Sequence, residues 1–166
     1  MAADTRNDEI RLRAVTEENW RETLTLAVRP EQQRFVAEYA PIAAIALAKA
    51  YIRSGGMTWA PYAIYADATM VGFVALAYAP DTPDQPDQYW IFHFFIDQRY
   101  QGRGYGRAAL QALFGLVRRE HPQCQTLRLV VHPENTQAQR LYTSTGFRPT
   151  GTERWGEPVY QLEIAR

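Results

Sequence analysis

Gln101-Gly102-Arg103-Gly104-Tyr105-Gly106 is the stretch on which the reading of this chain turns. It follows Tyr89–Ile96, a nearly continuous apolar run suited to a central strand covered on both faces. It precedes Leu110, Leu113, Phe114 and Val117, whose i, i+3, i+4, i+7 spacing draws one apolar stripe along a helix. A glycine-rich turn at that junction leaves the first N–H groups of the helix without intrahelical acceptors. Together with the helix dipole they make a site for an anion, and glycine lets a phosphate approach the backbone closely. Arg99, Arg103 and Arg107 add positive charge at the same end. The direct inference is a ligand carrying a pyrophosphate, with a merely solvated turn as the plainer alternative.

Working outward, Glu9–Val15 alternates as a half-buried strand does, and Thr16 with Glu17 and Glu18 starts a helix expected to run to about Ala27. Ile42–Arg53 reads as a second helical stretch, stopped at Ser54-Gly55-Gly56. Tyr62–Tyr65 and Met70–Tyr78 make a hairpin, and Asp81–Gln88 has the composition of a loop. Beyond the apolar helix, Thr126–Val131 is a strand and Asn135 to about Thr145 a helix stopped by Gly146. Phe147–Ile164 is a strand pair turning at Trp155-Gly156. The order predicts a mixed α/β (α+β) sheet in a single domain over residues 1–166.

Composition narrows the function. The 166 residues carry 18 basic and 18 acidic side chains, a net charge of zero, which lacks the excess that phosphate neutralisation along a nucleic acid requires. Of the basic residues only Lys49 is lysine. The longest apolar run, around Ile42–Leu47, is too short to span a bilayer, and no secretion signal is read at Met1–Arg11. Cys124 is the one cysteine, so neither an intrachain disulfide nor a cysteine metal cluster is expected, and the cytoplasm is the expected compartment. No nucleic acid, membrane or metal partner is expected.

Gly104–Ala109 also fits the loose Gly-x-Gly-x-x-Ala pattern of dinucleotide folds, so an NAD-dependent oxidoreductase is a rival. The context suits it poorly, because that pattern belongs after the first strand of a βαβ unit. A second constellation is Asn135, Ala138, Leu141, Tyr142, Gly146 and Phe147. Seven residues are close to two helical turns, so Asn135 and Tyr142 share a face about 10 Å apart along the axis. Their plainer readings are an N-cap and a core tyrosine with its hydroxyl at the rim.

The loop at 101–106 resembles the Gln/Arg-x-x-Gly-x-Gly/Ala acyl-CoA loop of the GNAT N-acetyltransferase superfamily, and Asn135–Phe147 resembles that family's Asn-x-x-Ala-x-x-Leu-Tyr-x-x-x-Gly-Phe motif. Within it, Phe94-Phe95-Ile96-Asp97 leading through Tyr100 looks most like the polyamine or diamine acetyltransferases. The resemblance implies a mixed sheet of about six to seven strands flanked by about four helices, with a splayed central strand pair. It implies acetyl-CoA as co-substrate and a small primary amine as acceptor, with direct attack in one ternary complex. Protein N-termini, lysine side chains, aminoglycosides and a non-catalytic CoA-binding module remain open, and a homodimer is an inherited expectation. By the same resemblance, Phe94, Phe95 and Ile96 hold the pantetheine arm, and Gln101, Gly102, Arg103, Gly104, Tyr105, Gly106 and Arg107 hold the pyrophosphate. Asn135 then bonds the cofactor arm, and Tyr142 protonates the departing thiolate.

An alkylammonium with a pKa near ~10.4 must lose a proton before it can attack. His93, inside the apolar strand, is the candidate base, with a pocket-wall or core residue as its plainer reading. Polyamine acetyltransferases tend to carry an acidic residue there, where this chain has Phe92-His93. Asp81, Asp84 and Asp87, or Glu17, Glu18 and Glu38, are candidates to attract a cationic acceptor. Trp20, Tyr39, Trp59 and Trp155 are candidates to line its pocket.

Overall fold

In the computed structural model, residues 7–79 and 88–164 are described. The acidic stretch with Asp81, Asp84 and Asp87 therefore lies outside the described residues. Strands β1 (Ile10–Ala14), β2 (Thr58–Ala66), β3 (Thr69–Tyr78) and β4 (Tyr89–Ile96) pair antiparallel in succession. Strand β5 (Thr126–Val130) then joins β4 in parallel, and the hairpin of β6 (Arg148–Arg154) and β7 (Glu157–Glu163) closes the order β1-β2-β3-β4-β5-β7-β6. The mixed α/β class and the turn at Trp155-Gly156 agree with expectation.

Helices cover both faces of this seven-stranded sheet. On one side α4 (Tyr105–Glu120) buries Leu110, Leu113, Phe114 and Val117, the stripe read from its spacing, against β-strand residues and Phe147. On the other, α3 (Ile42–Ile52) sets Ile42, Ala43 and Ala46 against Phe73, Trp90 and Phe95. The short helices α1 (Trp20–Thr23) and α2 (Gln33–Val36) lie in the arm before α3, and α5 (Thr136–Ser144) follows β5. Among the described residues no helix is long and apolar enough to cross a membrane.

The first helix is far shorter than the expected Thr16–Ala27 span, and its tail shows why. Thr23 and Thr25 turn their hydroxyls back onto the carbonyls of Trp20 and Glu22, a local alternative to helix propagation. The next residues are captured by Asp97 at the end of β4. Its carboxylate accepts from the Ala27 N–H at 2.9 Å, and the Gln98 N–H donates to the Ala27 carbonyl at 2.8 Å. Tertiary bonds override the helical start signal.

Asp97 is 1% exposed and also accepts from the N–H and Nε of its neighbour Arg99. Burial alone would raise its pKa, but the bonds from Arg99 and Ala27 hold the carboxyl below its ordinary value. Because the folded-state pKa is depressed, the stabilisation is present at neutral pH and lost as pH falls through the folded value. Asp97→Asn should therefore lower unfolding free energy by about 1–3 kcal/mol at pH 7, with the gap to wild type narrowing in acid. Denaturant unfolding at neutral and acidic pH reads both; an equal gap at the two pH values would contradict the role given to the charge.

Candidate active site

Strands β4 and β5 share only the pairs Tyr89↔Leu127 and Trp90↔Arg128, after which they diverge. The divergence coincides with a bulge. His93 and Phe94 together oppose Val74, between Phe92↔Ala75 and Phe95↔Phe73, and His93 has φ +51°. An inserted residue bends and twists its strand, and here it swings β4 away from β5. Just beyond it, β3 approaches so closely that a Cβ on Gly72 would lie 2.5 Å from the Phe95 carbonyl oxygen, so only glycine fits. From Ile91 onward the β5-facing edge of β4 has no strand beside it.

A cleft fills the gap in two lobes. The first, about 310 Å³, is lined by Phe94, Phe95, Ile96, Gln101, Gly102, Gly104, Tyr105, Gly106 and Arg107 on one side. Asn135 and Tyr142 of the α5 region line it opposite, with Val28, Gln32 and Phe35 of the helical arm. The second, about 320 Å³, is lined by Phe92 and His93 of β4, by Leu129–His132, and by Glu38 and Glu157. Phe94, Asn135, Ala138 and Tyr142 are walls common to both lobes. The Arg103 guanidinium lies over the ring of Tyr100, which lines the first lobe.

The loop lines one side of the first lobe. Gly102 and Gly104 take φ +79° and +81°, and a Cβ on either would meet nothing within 4 Å. Their glycines serve backbone conformation rather than relief of a protein clash, and they leave the space above the loop clear. Gly104 caps α4, and among the described residues no side chain caps its first turn, so these N–H donors are presented with the dipole behind them. Of the three arginines near the loop, Arg99 is committed to Asp97, whereas Arg107 lines the lobe and donates to the Ser144 carbonyl. Gln101 works as a latch: its amide pairs with that of Gln32 and donates to the Ile96 carbonyl, tying the loop to the helical arm. The Tyr105 hydroxyl is held by the Asp8 carboxylate.

On the facing wall, Asn135 is the N-cap of α5, its Oδ1 accepting from the Ala138 N–H at 3.2 Å, which leaves Nδ2 available to donate. The helix ends with the Phe147 N–H on the Tyr142 carbonyl and the Gly146 N–H on that of Thr143, the paired bonds of a Schellman motif. That stop packs the Phe147 ring edgewise on Tyr142, centroids 5.6 Å apart, and fixes the phenol between the lobes. Burial pushes the Tyr142 phenol well above its ordinary pKa, so it stays protonated across the physiological range.

His93 has both ring nitrogens engaged. Nδ1 lies 2.9 Å from the Val36 carbonyl oxygen, which makes it the protonated nitrogen, and Nε2 lies 3.0 Å from the Lys49 ammonium. Burial, and then the Lys49 charge, lower its pKa to about 4 against the bond to Val36. Lys49, itself lowered by burial, rests over the rings of Trp59 and Phe92. Among the expected pocket aromatics, Trp59 and Trp155 pack on Phe92, while Tyr39 is exposed and Trp20 carries Arg21 over its ring. Sequence reading missed Glu157 and the wall from α2. Glu157 follows a turn that was legible, but nothing in the pattern says that β7 runs beside β5.

The chain matches the model of the acetyltransferase (GNAT) family over residues 12–147. It belongs to that family. Among curated proteins, this GNAT chain is 30% identical over 158 residues to a spermine/spermidine N(1)-acetyltransferase of Bacillus subtilis (strain 168), covering 93% of this chain and 99% of the relative. Among solved structures, an aminoglycoside acetyltransferase AAC(6')-Ib with coenzyme A and kanamycin superposes with TM-score 0.71 at 20% identity over 92% of each chain. A spermidine N-acetyltransferase from Vibrio cholerae with CoA and spermine gives 0.68 at 17%, covering 94% of this chain and 96% of that one. These two likenesses establish the fold. The family also sets aside the dinucleotide reading: β4, α4 and β5 form a parallel βαβ unit, but its glycine loop follows the fourth strand, itself antiparallel to β3, where the dinucleotide pattern belongs after the first strand.

If the Lys49 charge lowers His93 as the geometry implies, Lys49→Met raises the His93 titration midpoint from about 4 towards 6.5. NMR titration of the ring measures it; an unmoved midpoint would show that burial alone sets the value.

Proposed function

We propose that this GNAT chain transfers the acetyl group of acetyl-CoA to a primary amine of a small molecule, with a polyamine or diamine as acceptor. The observation that carries the reading is the two-lobed cleft with Tyr142 in its common wall, a helix start without a side-chain cap at one end and an unpaired strand edge alongside. The 30% identical relative, which acts on spermine and spermidine by its name and matches over 93% of the chain, supports the acceptor class.

The fit to acetyl-CoA rests on donor chemistry. The N–H groups from Gly102 to Arg107 suit a pyrophosphate, with Arg107 beside them. The open edge of β4 at Phe94 and Phe95 offers backbone groups to the amides of a pantetheine arm in the manner of an added strand, and Asn135 of the α5 start lines the same lobe. What acetyl-CoA supplies is an activated thioester. The protein's share is alignment of the amine with it and management of two protons. Tyr142, protonated in the resting enzyme, donates a hydrogen bond to the sulfur as charge develops there, and its proton moves to the departing thiolate as a proton from the amine replaces it. His93, its Nε2 lone pair held by Lys49, serves as a brace that secures the bulge to α2 and α3 rather than as the base.

Thiol release with a panel of spermidine, spermine, putrescine, a peptide and an aminoglycoside tests the reading. Wild type should turn over the polyamines. Tyr142→Phe should lower kcat by about 10²-fold with acetyl-CoA affinity within twofold. A near-normal rate would remove Tyr142 from catalysis, and acetyl-CoA binding without turnover of any amine would leave a CoA-binding module instead.

A further inference from the structure

Resting on the acetyl-transfer reading above, we propose that Glu157 is the carboxylate that receives the acceptor's ammonium in the second lobe and takes its proton. Glu157 opens β7, and the Val131 N–H on the Pro158 carbonyl holds this corner beside the end of β5, at the mouth of the gap. It lines the same lobe as Tyr142 and Phe94. It is half-buried and takes part in no ion pair among the described residues, whereas the cations around the lobe already have partners. Arg34 bonds Glu134 at 2.6 Å, Lys49 bonds His93, and Arg154 lies over the rings of Trp90 and Trp155. A partly desolvated carboxylate outside any ion pair is costly, and an entering ammonium offsets that cost.

Burial raises the Glu157 pKa, with His132 drawing it partly back, which moves the carboxylate towards the basicity a proton acceptor needs. The charged and titratable groups about it are His132 from the β5–α5 connection, Arg34 and Glu38 from α2 and the residues after it, His93 from β4, and Arg154 opposite in β6. The protons balance. The ammonium gives one proton to Glu157, which returns it to solvent. The amine nitrogen then bonds to the thioester carbon, the C–S bond breaks, and the second amine proton ends on the sulfur through Tyr142.

The test is Glu157→Gln and Glu157→Asp in the full chain, with spermidine turnover followed against pH and spermidine binding measured by calorimetry in the presence of CoA. Glu157→Gln should lower kcat/KM for spermidine by about 10²-fold or more and abolish the acid limb of the pH profile, with KM for acetyl-CoA within twofold. Glu157→Asp should keep the limb at a reduced rate, which a merely structural role would not require. It carries the test should the glutamine variant fold poorly. Glu157→Gln within threefold of wild type, with the same profile and the same spermidine binding, overturns the proposal while the acetyl-transfer reading stands. Wild type that binds acetyl-CoA but neither binds nor acetylates any amine overturns both.

Discussion

The two-residue pairing of β4 with β5 is the constraint on which the rest of this molecule depends. Backbone N–H and C=O groups are obligatory hydrogen-bonding groups, and a central strand that loses its neighbour has to satisfy them some other way. The sheet keeps β3 on one side of β4 to its end and gives β5 a new partner in β7, paired from Val130↔Val159 to Thr126↔Glu163. The cost falls on one edge of β4, which faces a cleft wide enough for solvent or for a chain-like ligand with amides of its own. The bulge at His93 sets the angle, and the positive φ there is an uncommon conformation for a residue with a side chain. It persists because the ring is bonded to Val36 on one nitrogen and to Lys49 on the other.

Charge is distributed with the same economy. The chain has zero net charge, but its charged groups are not spread evenly along the cleft. Around the phosphate-suited end, the backbone and Arg107 supply the positive potential, while Arg99 is spent on the buried Asp97 and Arg103 on Tyr100. At the other end Arg34 is paired with Glu134 and the Lys49 charge is set against that of Glu38, so Glu157 is the carboxylate that draws a cation to the second lobe. An anionic ligand at one end and a cationic one at the other is the electrostatic pattern of a bisubstrate site joining CoA to an amine.

Much of this was legible in order along the chain, because its signals are local. The stripe from Leu110 to Val117, the glycine turn before it, and the Asn135–Phe147 helix with its glycine stop all depend on spacings within a few turns. What failed was non-local. Thr16 with Glu17 and Glu18 is a sound helix start, but Asp97, 70 residues away, unwinds its far end by binding Ala27. Gln101 lines the lobe as the loop motif suggests, but its bonds to Gln32 and the Ile96 carbonyl are a pairing no motif reveals. His93 reads as the candidate base because it stands in the strand that leads to the loop and imidazole ordinarily titrates near ~6.5; its neighbour in space is the chain's one lysine. Glu157 was passed over because its meaning comes from lying across a gap that only the sheet order creates.

The central claim is that the unpaired edge of β4 and the start of α4 are one binding surface. Amide hydrogen exchange, measured with and without CoA, tests it most directly. Protection gained together at Ile91–Ile96 and at Gly102–Arg107, with β1 and β2 unchanged, is the predicted result. Protection confined to Gly102–Arg107, or absent from both segments at saturating CoA, would contradict it.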